Sequence, residues 1–360
     1  MKNIFQFILS IGLCLFCSAQ TSANKFQVQT WLTQGGYQYP NSEQWVAGDF
    51  NGDGRCDVAR ILNDGGLASI DVFLSTGNNT FVKQRWATRQ GGFWNAQKWF
   101  AGDFNGDGQC DLANVFNEGG YASIDVHASS GNSFGIQRWA TRQGGFWDAQ
   151  QWMAGDFNGD SRCDLANVFS DGGRASIDVH SSTGNSFGIQ RWATRQGDFW
   201  NNQRWSAGDF NGDGFCDIVN SFDDNNLTSI DVHLSTGSLF GIQRWVTQCD
   251  RKGQLLVGNF NFDTHSDVAY LKFINGKYND QTGSYDLIDT KAICLSDILT
   301  LNRFLLQPLD QFTLFAPGNL QSGPVPSFIR AGDFNGDGFC DIAYFYGDGR
   351  IDVHVNSGQY

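Results

Sequence analysis

Three near-copies of a unit of roughly 53 residues run head to tail through this chain, the clearest from Trp86 to Arg138. A unit of that size cannot bury its own apolar face, so copies must pack on one another and share a core. The chain is therefore a ring or an array. A site carried by one unit is expected to recur in its neighbours.

Within a unit the apolar residues alternate with period two, which predicts strands. Gln97 to Phe104, Asp111 to Phe116, Tyr121 to Ser129 and Gly135 to Arg142 read as four strands. An acidic loop, Asn117-Glu118-Gly119-Gly120 and Ser130 to Ser133 connect them in that order. Four antiparallel strands per repeat, joined by turns rich in Gly and Asn, describe a β-propeller blade. The acidic loops start at Asp49, Asp103, Asp156, Asp209 and Asp333, with a degenerate copy at Asn259. That count predicts an all-β propeller of six blades, or seven if the segment from Phe273 to Ser327 hides another. The wide gap before Asp333 places an insertion in that segment. Phe26 to Gln34 matches a fourth strand, and Ile351 to Gly358 ends as a third. The two termini are thus expected to complete one blade and close the ring without a free edge.

Residues 1–23 precede the fold. Lys2, the apolar run from Ile4 to Cys17 and the small residues Ala19 and Ala23 form the pattern of a secretory signal peptide. The run is too short to span a bilayer, and Leu15 and Phe16 make a poor lipobox before Cys17. The expectation is an exported single domain over 24–360, without membrane insertion. The full chain's 37 acidic residues against 24 basic ones, net −13, argue against nucleic acid as a partner. Of nine cysteines, Cys56, Cys110, Cys163, Cys216 and Cys340 share one repeat position. They read as buried thiols acting as small apolar residues. Cys249 and Cys294 lie outside the pattern and are the disulfide candidates for an oxidising compartment.

The loop D-x-N-x-D-G-x-C-D is complete in four copies: Asp49, Asn51, Asp53, Asp57; Asp103, Asn105, Asp107, Asp111; Asp209, Asn211, Asp213, Asp217; and Asp333, Asn335, Asp337, Asp341. Oxygen side chains at positions 1, 3, 5 and 9 suit a hard cation such as Ca²⁺ in a structural role. Position 7 varies (Arg55, Gln109, Phe215, Phe339), as a backbone-carbonyl ligand would allow. The same residue types also cap backbone amides in tight turns, and the sequence leaves both roles open. There is no Glu at position 12, and strands flank the loop, so this is not an EF-hand. The copy at Asp156 carries Ser161 for Gly, and the one at Asn259 lacks the first acid.

Every tryptophan occupies one of three repeat slots. Trp31, Trp86, Trp139, Trp192 and Trp245 lie in the fourth strand; Trp45, Trp99, Trp152 and Trp205 lie in the first. Both sets read as core. Trp94, Trp147 and Trp200 fall in the connecting loop, within GGFW or GDFW, beside flexible glycines. Loops on a rigid scaffold carry binding residues, and the C–H face of a sugar stacks on an exposed indole. Arg89 and Asn95, Arg142 and Asp148, Arg195 and Asn201 stand nearby to meet hydroxyls, and Tyr37 marks a partial fourth copy. The Ser-Ile-Asp-Val-His strand puts Ser, Asp and His on one face. It shows no third catalytic group, and Phe73 replaces the His in one unit.

The DFNGDGxCD loop followed by a strand resembles the FG-GAP/VCBS repeat of propeller proteins, integrin α heads included. The longer unit, RWATRQGGFWxxQxWxAGDFNGDG…SIDVHxSxG, closely resembles the fucose-binding seven-bladed propeller lectins of insect-pathogenic bacteria. The resemblance is strong from Trp86 to Trp245, fair from Trp31 and weak from Val246 to Ala331. It implies carbohydrate binding between blades, with glycans or glycoproteins as partners and no catalysis. Its aromatic pocket residue would fall on Trp94, Trp147 and Trp200. The expectation is a secreted lectin for fucose or related sugars. The alternative is a calcium-dependent adhesion or protein-binding propeller resembling an integrin head. No nucleophile elbow, HExxH motif or isolated carboxylate pair points to an enzyme.

Overall fold

The computed structural model describes residues 26–33, 43–93, 96–147, 149–199, 203–249, 254–260, 265–271, 328–346 and 349–356, and the short strands 278–279, 284–285, 293–296 and 304–306. The signal segment, Tyr37, Trp94, Asn95, Asp148, Trp200, Asn201 and the side chains of Cys249 and Cys294 lie outside the described residues.

The chain forms a β-propeller of four-stranded antiparallel blades, and its strands build six four-stranded sheets. The first comprises Gln44–Gly48, Asp57–Asp64, Leu67–Ser75 and Phe81–Ala87. The second comprises Lys98–Gly102, Asp111–Glu118, Tyr121–Ser129 and Phe134–Ala140. The third comprises Gln151–Gly155, Asp164–Asp171, Arg174–Ser182 and Phe187–Ala193. The fourth comprises Arg204–Gly208, Asp217–Asp224, Leu227–Ser235 and Phe240–Cys249. In the sixth, Phe328–Gly332, Asp341–Phe345 and Ile351–Asn356 are joined by the N-terminal strand Phe26–Leu32, which pairs antiparallel with Ile351–Asn356. These five share one layout.

The fifth sheet is less regular. Gln254–Gly258 and Asp267–Leu271 pair as expected, but the third and fourth strands, Ile293–Ser296 and Phe304–Leu306, come from beyond a two-stranded hairpin of Tyr278–Asn279 and Ser284–Tyr285. The insertion thus opens between the second and third strands. Among the described residues, nothing in the 273–327 segment starts a further four-stranded sheet. The strand limits also differ a little from the sequence pattern. The first strand of the second sheet stops at Gly102, because the acidic loop takes over at once, and the second strand runs on to Glu118.

Local chemistry sets the turns. Gly65-Gly66, Gly119-Gly120 and Gly172-Gly173 all have positive φ, and Asn225-Asn226 take the same conformation in the fourth sheet. Two consecutive left-handed residues make the tight hairpin whose twist matches the strands. This fixes the two ends of each blade. Acidic loops and the turns between third and fourth strands lie at one end. The second-to-third hairpins and the Gly-rich connections lie at the other, where Gly92, Gly145 and Asp198 bridge to Leu67, Tyr121 and Arg174.

Neighbouring sheets are joined by a contact that repeats. The amide of Cys110 donates to the Asp49 carbonyl at 2.7 Å, and its sulfur lies 3.0 Å from where a Cβ of Gly48 would stand. Cys163, Cys216 and Cys340 repeat this on Asp103, Asp156 and Asn259, Cys56 on Asp333, and Ser266 on Asp209. Glycine ends the first strand because the next sheet's thiol fills the space of its side chain. All five repeat cysteines are free thiols, and burial raises Cys110 to about 12, so they pack as apolar groups. The buried loop phenylalanine of one sheet also meets the fourth-strand phenylalanine of the next edge-on. Phe50 meets Phe134 at 5.8 Å, Phe104 meets Phe187 at 5.9 Å and Phe334 meets Phe81 at 6.0 Å. Such pairs contribute about 0.5–1.5 kcal/mol each beyond area burial. Both strand tryptophan slots are core, as expected: Trp45, Trp86, Trp99, Trp139, Trp152 and Trp192 are buried.

Candidate functional site

At the acidic end the carboxylates are turned onto backbone amides. Asp49 Oδ1 accepts from Gly52 and Asp53, and Oδ2 from Gly54 at 2.7 Å. Asn51 Oδ1 accepts from the Asp53 amide, and Asp53 Oδ1 from Arg55. Asp57 is fully buried, and its two oxygens accept from Phe50 and Ser75. Asp103, Asn105, Asp107 and Asp111 repeat the pattern. So do Asp209, Asn211, Asp213 and Asp217, and Asp333, Asn335, Asp337 and Asp341. The copy at Asp156 folds alike, with Ser161 accepting the left-handed φ that glycine takes elsewhere. Burial, with help from the neighbouring loop carboxylates, pushes Asp57, Asp111, Asp164 and Asp217 up to about 7 and Asp341 to about 8. Among the described residues, no three acidic, His or Cys side chains come together in metal-holding geometry. In this structure the side-chain oxygens that would serve a cation accept from loop amides.

Position 7 has a role the sequence did not suggest. Its side chain lies over the glycine at position 4 of the preceding loop. Gln109 covers Gly52, Arg162 covers Gly106, Phe215 covers Gly159, and Arg55 covers Gly336. The position varies because any long side chain can cover a glycine. Arg55 and Arg162 also pair with Asp53 and Asp160.

At the opposite end each Gly-rich connection is tied down before it becomes free. Arg89 N donates to Ser69 Oγ, Gln90 N to the Ala68 carbonyl and Phe93 N to Gly66. The glutamine just before each first strand reaches back to the loop: Gln97 Nε2 donates to Gly92 O at 2.6 Å, Gln150 to Gly145 O and Gln203 to Asp198 O at 2.8 Å. The phenylalanine of the motif is buried as an anchor at Phe93, Phe146 and Phe199. Trp147, next in sequence, is 45% exposed. Its indole meets Phe169 of the third sheet edge-on at 5.8 Å, and the Arg191 guanidinium lies 4.7 Å from that ring while pairing with Asp178.

Arg89, Arg142 and Arg195 share a left-handed backbone and turn toward the hairpin of their own sheet. Arg89 pairs with Asp64, Arg195 pairs with Asp171, and Arg142 lies over Tyr121 at 5.4 Å. The sequence reading did not single out the residues that back the exposed indole. These are Phe169 with Arg191 and Asp178, and the matching sets Phe116, Arg138, Asp125 and Phe222, Arg244, Asp231. Their recurrence at one repeat position was the available signal; the first sheet carries Leu62 in place of the phenylalanine.

Beneath these loops, His127, His180 and His233 lie buried against Trp99, Trp152 and Trp205, with ring centroids 5.0–5.4 Å apart. Burial lowers all three to about 4, so they are neutral at pH 7. Among the described residues, none of their ring nitrogens has a hydrogen-bond partner. The first sheet differs here by an apolar ring and a nearby charge cluster. Arg60 pairs with Glu43 and lies 3.9 Å from Asp71, which Lys83 meets at 3.0 Å, and Phe73 takes the histidine's position. The arrangement offers flat aromatic surface beside fixed ionic hydrogen-bonding groups, which is the chemistry of binding.

Comparison with known proteins agrees with the fold. No curated protein gives a significant match to this sequence. Among solved structures, the Tc holotoxin pore of Photorhabdus luminescens is similar over 94% of this chain, with TM-score 0.56 and 13% identity. This chain spans 15% of that toxin chain. The exotype rhamnogalacturonan lyase YesX (TM-score 0.40, 10% identity, 92% of this chain and 76% of that one) is more distant. So is TolB from Acinetobacter baumannii (TM-score 0.40, 14% identity, 87% and 66%). These likenesses concern the fold alone. Residues 49–114 match the FG-GAP-like repeat family, and the sheets around them form a β-propeller.

Proposed function

We propose that this chain is a secreted, multivalent carbohydrate-binding propeller for fucose or related sugars. The observation that carries the reading is Trp147. It is a half-exposed indole on a loop whose glycines, anchor phenylalanine and glutamine clamp are otherwise fully engaged. Nothing in the packing of the blade requires it to face water. Phe169 fixes one edge of the ring, and the Arg191–Asp178 pair stands behind it as a hydrogen-bonding group for hydroxyls. Trp94 and Trp200 occupy the same repeat slot, and Tyr37 a partial one, so several weak pockets act together through avidity.

The six sheets are read as a closed ring. In support, the amide-to-carbonyl bond between neighbouring sheets recurs from Cys110 through to Cys56, where the first sheet meets the sixth. A glycan array run with and without EDTA tests the function. Binding to fucosylated glycans in both conditions is expected. Binding to a protein partner alone, lost in EDTA, would instead favour the second reading, a calcium-dependent adhesion propeller, for which the FG-GAP-like match and the acidic loops speak.

A further inference from the structure

Tyr121 and Trp147 are the two exposed aromatic side chains among the described residues, at 49% and 45%. They come from different elements: Tyr121 opens the third strand of the second sheet, and Trp147 sits in the connection to the third sheet. An antiparallel bridge sets Tyr121 directly opposite Gly145. Opposed residues project to the same face, with Cβ atoms about 5 Å apart. A Cβ on Gly145 would fall on Cζ3 of the Trp147 indole, against the edge of the ring. The indole therefore occupies the space beside Tyr121 that a Gly145 side chain would take. The edge of the Trp147 indole thus reaches the face from which Tyr121 projects. Arg142 covers Tyr121, and Phe169 with Arg191 backs Trp147.

This platform belongs to one junction of the ring. Leu67, Arg174 and Leu227 stand at the repeat position of Tyr121. Opposite Arg174 the bridge partner is Asp198, which carries a Cβ and closes the placement that the Trp147 indole uses. Repeats of the same sequence motif thus offer surfaces of different extent.

Resting on the carbohydrate reading above, we propose that the junction of the second and third sheets is an extended site for an oligosaccharide. One sugar stacks on Trp147, and the next sugar of the same chain stacks on Tyr121. Exposed aromatic patches of this kind mark binding surfaces. Arg142 over Tyr121, and Arg191 on the Phe169 that meets Trp147, supply donors for hydroxyls and exclude a purely apolar guest.

The test uses the full chain in a Trp94→Ala/Trp200→Ala background, so that this junction is read alone. Calorimetric titrations use methyl fucoside and a fucosylated trisaccharide. Tyr121→Leu, which installs the residue of the first and fourth sheets, is expected to weaken the trisaccharide roughly fivefold and the monosaccharide less than twofold. Gly145→Ala displaces the indole and is expected to weaken both. Equal effects of Tyr121→Leu on the two sugars, or none on either, overturn the second subsite while leaving the carbohydrate reading intact. Failure of the unmodified protein to bind any sugar overturns both.

Discussion

The two ends of this propeller are built from the same repeats and behave differently. At the acidic end five copies are nearly interchangeable: Asp49, Asp103, Asp156, Asp209 and Asp333 each accept from the amide three residues on, even where Ser161 replaces glycine. At the aromatic end the copies diverge. Tyr121 stands where others have Leu67 or Arg174, Asp198 where others have Gly92 or Gly145, and the charged Glu43–Arg60 pair where others have Gln and Asn. Groups that satisfy buried amides of their own blade tolerate little change, because a buried donor left without its acceptor costs about 1–3 kcal/mol. Groups that face water are free to differ, and a binding surface needs that freedom.

The largest expected effect lies at the acidic end. Asp111→Ala strands the Phe104 and Ser129 amides, and we expect a loss of about 3 kcal/mol in denaturant unfolding. A loss under about 1 kcal/mol would mean that the loops do not hold the blades, and the contrast between the ends would collapse.

The second prediction concerns acid. His127, His180 and His233 are lowered to about 4 by burial. Between pH 6.5 and 4 the unfolded chain takes protons that the folded chain refuses, so these residues subtract stability as pH falls. The loss stops growing below pH 4. Each contributes a slope of about 1.4 kcal/mol per pH unit in that window. His127→Phe, which copies the Phe73 of the first sheet, should remove one such share relative to the unmodified protein. Parallel stability curves for the two would contradict the buried, neutral ring.

Trp147→Ala sharpens the comparison from the other side. Its side chain is half in water, so unfolding stability should change by no more than about 1 kcal/mol. A larger loss would mark the indole as packing. The smallest effect is expected from calcium. With the loop oxygens already on amides, exchanging EDTA for millimolar Ca²⁺ should move the melting temperature by less than about 1 °C. A rise of several degrees would restore the cation reading of the acidic loops.

The sequence made much of this legible. Period-two alternation and the Asn117 to Gly120 turn located the strands to within a few residues, because strand period and turn chemistry are local properties. The pairing of Phe26–Leu32 with Ile351–Asn356 was legible from the repeat register. What was hidden is relational. Position 7 is a packing residue only because a glycine of the preceding loop lies beneath it, and Phe169 meets Trp147 only because the indole arrives from another sheet. The arginines Arg89, Arg142 and Arg195 stand close to the loop tryptophans in sequence, yet their left-handed backbone turns them to their own hairpins. Neighbourhood in sequence is a poor guide wherever φ changes sign.

The most direct measurement is glycan-array binding by the Trp94→Ala/Trp147→Ala/Trp200→Ala protein, with its melting curve recorded beside that of the unmodified chain. The account predicts that sugar binding disappears while the melting transition stays cooperative and nearly unmoved. Undiminished sugar binding by that folded triple variant would contradict it.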